Sequence, residues 1–389
     1  MTKDKQAQPF LSFYEQRDII PVRQDARSAD GHFFRRKSLY QQMGITPANV
    51  RGRRVIEFGP GTGDNATYIA SLKPAKLVLV DGNPRSVEEI KVRASSGALG
   101  EACDVHNSDI LSYQSAEKFD LVICEGTIPG QLDPASFLRH VASFADEDGI
   151  VIITTMSAES YLAEICRRIL TPLLTRDCAD NVAALTRLTE YFSADLASLP
   201  GMTRRYDDWV LDNIIHPWTK RGELLPMDAA IRALADQFQF LSSSPRMLQD
   251  WRWFKSISND AQENVELTIS EYRRWSMYLL DYRVAPTAGD ADLGHHVETL
   301  CNAAFELERT LPDRPLDRDF LTFLDTLRPL ASLLRSRLPG TQASIDSFIE
   351  GMTLAIKAGA TNERTEKAFK AFRSWFGRGQ QYMSFLRVT

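Results

Sequence analysis

Short aliphatic runs alternate with amphipathic stretches between residues 54 and 155. The runs are VIEF (55–58), KLVLVD (76–81), ACDVH (102–106), FDLVIC (119–124) and GIVIITT (149–155). Continuously apolar strands separated by helices predict a parallel sheet whose two faces are both hidden by a helical layer. Residues 66–72, 85–94 and 134–144 have the length and periodicity of those helices, so the spacing predicts a βαβαβ arrangement.

Residues 157–224 carry helical patterns and no clear strand, and are too long for an ordinary connection. They predict a helical insertion after the fifth strand. A helix is expected over 227–238 and a strand over 239–244, with a loosely marked further strand around RMLQDWRWF (246–254). Beyond Ser256, Leu324, Leu327, Ala331, Leu334 and Leu338 fall on one helical face, as do Ile345, Phe348, Ile349 and Met352. The first fifty residues are polar, with aromatics in two bursts (Phe10, Phe13 and Tyr14, then Phe33, Phe34 and Tyr40), and are too short to bury a core alone. The expected division is a helical lid segment (1–53), a sheet domain with its insertion (54–256) and an all-α bundle (257–389).

Composition narrows the function classes. Of 389 residues, 43% are hydrophobic and 25% charged, as in a globular protein. The 46 Lys and Arg against 51 Asp and Glu give a net charge of -5, which offers no global attraction for nucleic acid or an anionic membrane. Residues 1–54 nevertheless hold eleven basic against five acidic residues, so a local basic surface is expected, centred on Arg35, Arg36, Lys37, Arg51, Arg53 and Arg54. Five scattered cysteines without C-x-x-C spacing argue against a disulfide framework or a zinc site and favour a reducing compartment. No apolar run approaches a membrane span and the N-terminal charges precede no signal-like segment, so a cytoplasmic location is expected.

The chemistry is concentrated in VIEFGPGTGDNATYIA (55–70). A buried strand ends at Glu57 and Phe58, and Gly59, Gly61 and Gly63 follow at alternate positions before a helix. Glycines serve where a chain turns sharply and a ligand must approach the backbone. The G-x-G-x-G spacing departs from the G-x-G-x-x-G of pyrophosphate-binding dinucleotide folds. Eighteen residues after Gly63, the second strand ends at Asp81 and Gly82, where an acid can accept both hydroxyls of a ribose. NSDIL (107–111) then places Asp109 and Ile110 after the third strand.

The run E-F-G-P-G-T-G at 57–63, Asp81, S-D-I at 108–110 and FDLVICEG at the fourth strand resemble the class I S-adenosylmethionine-dependent methyltransferases. The resemblance spans roughly residues 54–155. It implies a Rossmann-like α/β fold with a mostly parallel seven-stranded sheet, the last strand antiparallel, and S-adenosylmethionine as cofactor. Gly59, Gly61 and Gly63 would let the loop pass the methionine part, and Glu57 would lie near its amino group. Asp81 would hold the ribose, Asp109 and Ile110 the adenine, and Glu125 and Gly126 would face the sulfonium and the acceptor.

For the acceptor, EGTIPG (125–130) stands where amino-methylating DNA enzymes of this fold carry an N/D-P-P-Y/F loop, so a DNA base is not expected. TTMSAES (154–160) lacks the Asp-Asn pair of Mg²⁺-dependent relatives, so no metal is expected. In the insertion, RRYDDWVLDNIIHPW (204–218) would place Trp209, Asp212, Asn213 and His216 on one helical face. His216 is the first candidate for a general base, oriented by Asp212, and His32 is its rival. His106 and His140 are expected to be structural or solvent-facing, and His295-His296 lacks the pattern of a metal site. Trp251 and Trp253 are expected to pack on the helical bundle. The expected activity is methyl transfer to a small polar molecule, more readily at oxygen than nitrogen. An N-methyltransferase, an enzyme acting on a protein or carrier-bound substrate docked by the helical domain, or a non-catalytic cofactor-binding regulator are the alternatives.

Overall fold

A computed structural model describes residues 29–388, so the aromatic burst at Phe10, Phe13 and Tyr14 lies outside the described residues. In chain order the described elements are α1 (Ala29–Gln42), β1 (Arg54–Phe58), α2 (Asp64–Ser71), β2 (Lys76–Asp81), α3 (Pro84–Ser95), β3 (Cys103–Asn107), β4 (Phe119–Cys124), α4 (Pro134–Ala142) and β5 (Ala145–Thr155). Next come α5 (Ala158–Thr175), α6 (Asn181–Ala197), α7 (Tyr206–Val210), α8 (Met227–Leu234), β6 (Phe238–Ser244), α9 (Ala261–Ser276), α10 (Ala291–Thr310), α11 (Asp317–Leu334), α12 (Pro339–Ala358), α13 (Glu363–Ala368), α14 (Lys370–Arg373) and β7 (Gln381–Arg387).

The chain forms two compact units. The first takes in the described residues up to Met156, then Arg221–Tyr272 and the chain from Gln380 onward; the second takes in Ser157–Lys220 and Arg273–Gly379.

The first unit is the sheet, with strand order β3-β2-β1-β4-β5-β7-β6. The strands β1 to β5 pair in parallel, whereas β7 runs antiparallel to both β5 and β6. Alternation sends Val55, Leu77, Leu79, Leu121, Ile123, Ile150 and Ile152 to one face, packed with Tyr40, Ala66, Ile69 and Ile90 of α1, α2 and α3. On the other face α4 packs beside α8. The direction of winding reverses between β1 and β4, which opens a crevice beyond their carboxyl ends.

The seventh strand is not where the pattern around 246–254 places it. That segment is irregular apart from a turn at Phe254–Ser256, and β7 comes from the last part of the chain instead. Its residues QYMSFLR show no clean apolar alternation, because β7 lies inside the sheet and is covered on both faces. Ser384 is tolerated there because its hydroxyl donates to the Met43 carbonyl, 2.7 Å away.

The second unit is drawn differently from the expected division, in which the insertion belonged with the sheet and the last helices stood alone. α5 is its centre, buried along nearly its whole length from Ala158 to Leu170, and α10 packs along it. Two buried guanidiniums on α5 draw partners from both stretches of chain. Arg167 pairs with Asp195 of α6 at 3.1 Å and donates to the Arg373 and Trp375 carbonyls. Arg168 pairs with Glu308 of α10 at 2.9 Å and donates to the carbonyls of Asn213, Ile214 and His216. Buried cations need such partners, and neither stretch supplies all of them alone.

Candidate active site

The loop after β1 holds Gly59, Gly61 and Gly63 at φ +68°, +58° and +77°, a left-handed backbone that side chains disfavour. At Gly59 the requirement is also steric, since a Cβ there would collide with Thr127 Oγ1 of the loop after β4. Arg93 of α3 braces the loop: its Nε donates to the Thr62 carbonyl at 2.7 Å and its Nη2 pairs with Asp64 at 2.6 Å.

Three carboxyls gather at the carboxyl ends of β1, β2 and β4. Asp81 accepts the Gly61 and Asn83 amides at 3.1 and 2.8 Å. Burial raises its pKa to about 6 while those two hydrogen bonds oppose the rise, so it is ionised at neutral pH. Glu57 is buried on the α1 side of the sheet, and its Oε2 has no hydrogen-bond partner among the described residues. Desolvation and then the charge of Glu125 push its carboxyl up to about 8, against the pull of Arg36. Glu125, in contrast, is well held. It receives Arg36 Nη2 at 2.6 Å, the Tyr40 hydroxyl at 3.2 Å and Asn65 Nδ2 at 3.4 Å.

Arg36 and Tyr40 come from α1, where with His32 they recur every fourth residue and so share a face, and Asn65 comes from α2. Tyr382 of β7 adjoins the pair, its phenol pushed up to about 12 by burial and by Glu125. Arg36 thus parts from the expected basic surface. Arg53 and Arg54 lie at the opposite, amino end of β1 and pair with Asp120 and Asp146.

After β3, Asp109 accepts the Ser112 amide at 3.1 Å and Ile110 is buried. His140 of α4 fixes this turn, its Nε2 donating to the Ile110 carbonyl at 2.8 Å. Gly82 sits half-buried between Asp81 and Asn83. Phe58 points to the other face of the sheet, against Tyr113 and Phe144 with ring centroids 5.9 and 5.1 Å away, so it offers the site backbone alone. Gly126 continues from Glu125 with φ +74° and donates its amide to Thr154 Oγ1 at 2.7 Å.

The base candidates fall in different units. His32 is buried in the first, and its Nε2 meets the Asp64 carbonyl at 3.2 Å. A carbonyl only accepts, so Nε2 carries the proton and Nδ1 keeps its lone pair. Burial lowers the His32 pKa, leaving the ring neutral at neutral pH. In the second unit, α7 gives way to a π turn over Leu211–Ile215, and His216 follows with an extended backbone. Trp209, Asp212, Asn213 and His216 therefore do not line one α-helical face. His216 is fully buried with Nδ1 accepting the Trp218 amide at 3.0 Å, and Asp212 pairs with Arg204. Among the described residues, no group of three or more His, Cys, Asp or Glu is placed to hold a metal ion.

The model of a family described as a methyltransferase domain matches residues 49–190, from the entry to β1 to the middle of α6. The chain carries a class I S-adenosylmethionine-dependent methyltransferase domain. Its sheet has the seven strands and the antiparallel last strand that the resemblance implied. The chain is 29% identical over 199 residues to the ubiquinone biosynthesis O-methyltransferase of Neisseria meningitidis serogroup C, covering 48% of this chain and 75% of that protein. Solved structures similar to it include N-methyltransferase NodS from Bradyrhizobium japonicum WM9 in complex with S-adenosyl-l-homocysteine. That match has 16% identity and TM-score 0.28, over 32% of this chain and 61% of that one. PKMT2 from Rickettsia typhi in complex with AdoHcy matches with 16% identity and TM-score 0.41, over 62% and 49%. The chain thus spans about half to three fifths of the length of those two chains.

S-adenosylmethionine is compatible with the residues present. The unpartnered Oε2 of buried Glu57 suits an ammonium, and the glycine loop leaves the backbone open beside it.

Proposed function

We propose that this methyltransferase acts on a hydroxyl group of a small polar molecule, with His32 as the general base. When bound, S-adenosylmethionine supplies a methyl group on a sulfonium, ready for in-line displacement. Glu57 would receive the ammonium, Asp81 the ribose hydroxyls, and Asp109 with Ile110 the adenine. The backbone at Gly59, Gly61 and Gly63 would pass the methionine portion, with Glu125 and Gly126 bordering the acceptor.

A hydroxyl has to lose a proton as it attacks, whereas a neutral amine mainly needs positioning. The observation that carries the reading is His32, a neutral imidazole with its proton fixed on Nε2 by the Asp64 carbonyl, one helical turn before the Arg36–Glu125 pair. Nδ1 would take the hydroxyl proton. The O-methyltransferase relative supports oxygen as the acceptor atom.

The test is methyl transfer from labelled cofactor to a panel of hydroxyl and amine compounds. Hydroxyl acceptors should be turned over, and His32→Gln should lower kcat by about 10²–10⁴-fold while the cofactor Kd stays unchanged. Gly61→Arg and Asp81→Ala should abolish cofactor binding. Turnover of amines alone, or full activity in His32→Gln, would overturn the reading.

A further inference from the structure

Four large apolar side chains stand exposed within seven residues of the first unit: Trp251 (87% exposed), Trp253 (64%), Phe254 (70%) and Ile257 (50%). They lie on the irregular segment between β6 and α9, yet that segment is braced. Asp250 accepts both the amide and the guanidinium of Arg252, at 2.9 and 2.6 Å. Arg252 Nη1 reaches Asn264 Oδ1 on α9 at 2.8 Å, and the Ser256 amide donates to the Trp253 carbonyl at 2.8 Å. The rings are therefore displayed on a tied loop.

Scattered apolar residues on a surface need no explanation, but a cluster of this size marks a contact. Its chemistry indicates which contact. The run WRWFKSISN (251–259) contains two cations and no acid, in a chain whose net charge is -5. Arg252 is neutralised by Asp250, whereas the Lys255 ammonium lies 5.2 Å from the Trp253 ring centroid and 5.7 Å from that of Phe254. Indole rings with a polar N–H, a phenyl, a branched aliphatic and an ammonium at the rings' faces are the residues that settle at the boundary between lipid headgroups and acyl chains.

We propose that residues 251–257 seat the protein on the surface of a lipid bilayer. Trp251, Trp253, Phe254 and Ile257 enter the interfacial zone and Lys255 meets a lipid phosphate. No helix among the described residues is long and apolar enough to cross a membrane, and the proposed attachment is peripheral, through this loop.

The test is flotation of the full chain with phosphatidylcholine vesicles containing about one quarter phosphatidylglycerol. The wild type should float with the vesicles, and its tryptophan emission should shift to the blue. A variant carrying Trp251→Ser, Trp253→Ser and Phe254→Ser should lose binding by roughly tenfold or more. Its unchanged affinity for S-adenosylmethionine would show that it remains folded. Lys255→Glu should weaken binding to the anionic vesicles more than to pure phosphatidylcholine. Absence of the wild type from the vesicle fraction, or equal flotation of the triple variant, would overturn the proposal. So would a wild-type dimer that the triple variant splits without any vesicle binding, since the cluster would then be a contact between copies.

Discussion

Below pH 8, Glu57 is protonated in the folded protein without its ligand, because burial and Glu125 disfavour its charge. In the unfolded chain the same carboxyl ionises near its ordinary value of 4.5. Between the two values the unfolded state holds fewer protons, so stability falls as pH rises, by about 3 kcal/mol at pH 7. Glu57→Gln should therefore raise Tm at pH 7–8 and leave it little changed at pH 4, measured by thermal denaturation without cofactor. An incoming ammonium reverses the balance by requiring the carboxylate. Cofactor affinity should tighten as pH rises toward 8, and Glu57→Gln should lose that slope and bind about 10–100-fold more weakly by titration calorimetry. The places of Glu57, Asp81 and the glycines at or just past the ends of β1 and β2 were legible in the sequence because each lies at the end of an apolar run, so local pattern and position coincide. Arg36 and Tyr40 were not legible as partners of Glu125, since their meeting depends on α1 docking across the carboxyl ends of β1 and β4. The helical face expected to carry His216 does not form for the opposite reason: the spacing suggested one, but the helix widens and stops before reaching it.

At the scale of elements, α1 is tied to the sheet by the Arg36–Glu125 pair, both of whose side chains are almost fully buried. Arg36→Met should cost about 3–5 kcal/mol in urea denaturation, because Glu125 is left without its cation. Adding Glu125→Gln to that variant should restore part of the loss, the non-additivity expected of a direct pair. The strands β1, β2 and β4 were readable because strands buried on both faces are continuously apolar. β7 is buried too, but it mixes Gln381, Ser384 and Arg387 with its apolar residues and follows a long helical stretch, so nothing in its pattern separates it from that stretch. Its position makes it indispensable. Removing residues 380–389 deprives β5 and β6 of their common partner, and the truncated chain should be insoluble or fail to bind cofactor in a titration.

At the scale of the molecule, the two units are interleaved in sequence, and the chain passes between them at 156/157, 220/221, 272/273 and 379/380. No single cut yields either one whole. A fragment of residues 273–379 lacks α5, and with it the buried Arg167 and Arg168 around which the helical unit closes. It should show no cooperative melt by circular dichroism, and the same holds for the sheet unit cut at Tyr272. The expected boundary near residue 256 differs from the two units for this reason: a linear reading sees composition change along the chain, whereas the units are defined by which segments share a core.

The place of β7 also bears on synthesis at the ribosome. Among the described strands β6 pairs with β7 alone, and more than a hundred residues separate Ser244 from Gln381. At translation speeds of about 5–20 residues per second, that interval lasts roughly seven to twenty-seven seconds. Throughout it, β5 shows an open strand edge and β6 has nothing to join, so the nascent chain is most exposed to aggregation, and most in need of a chaperone, just before its sheet can close.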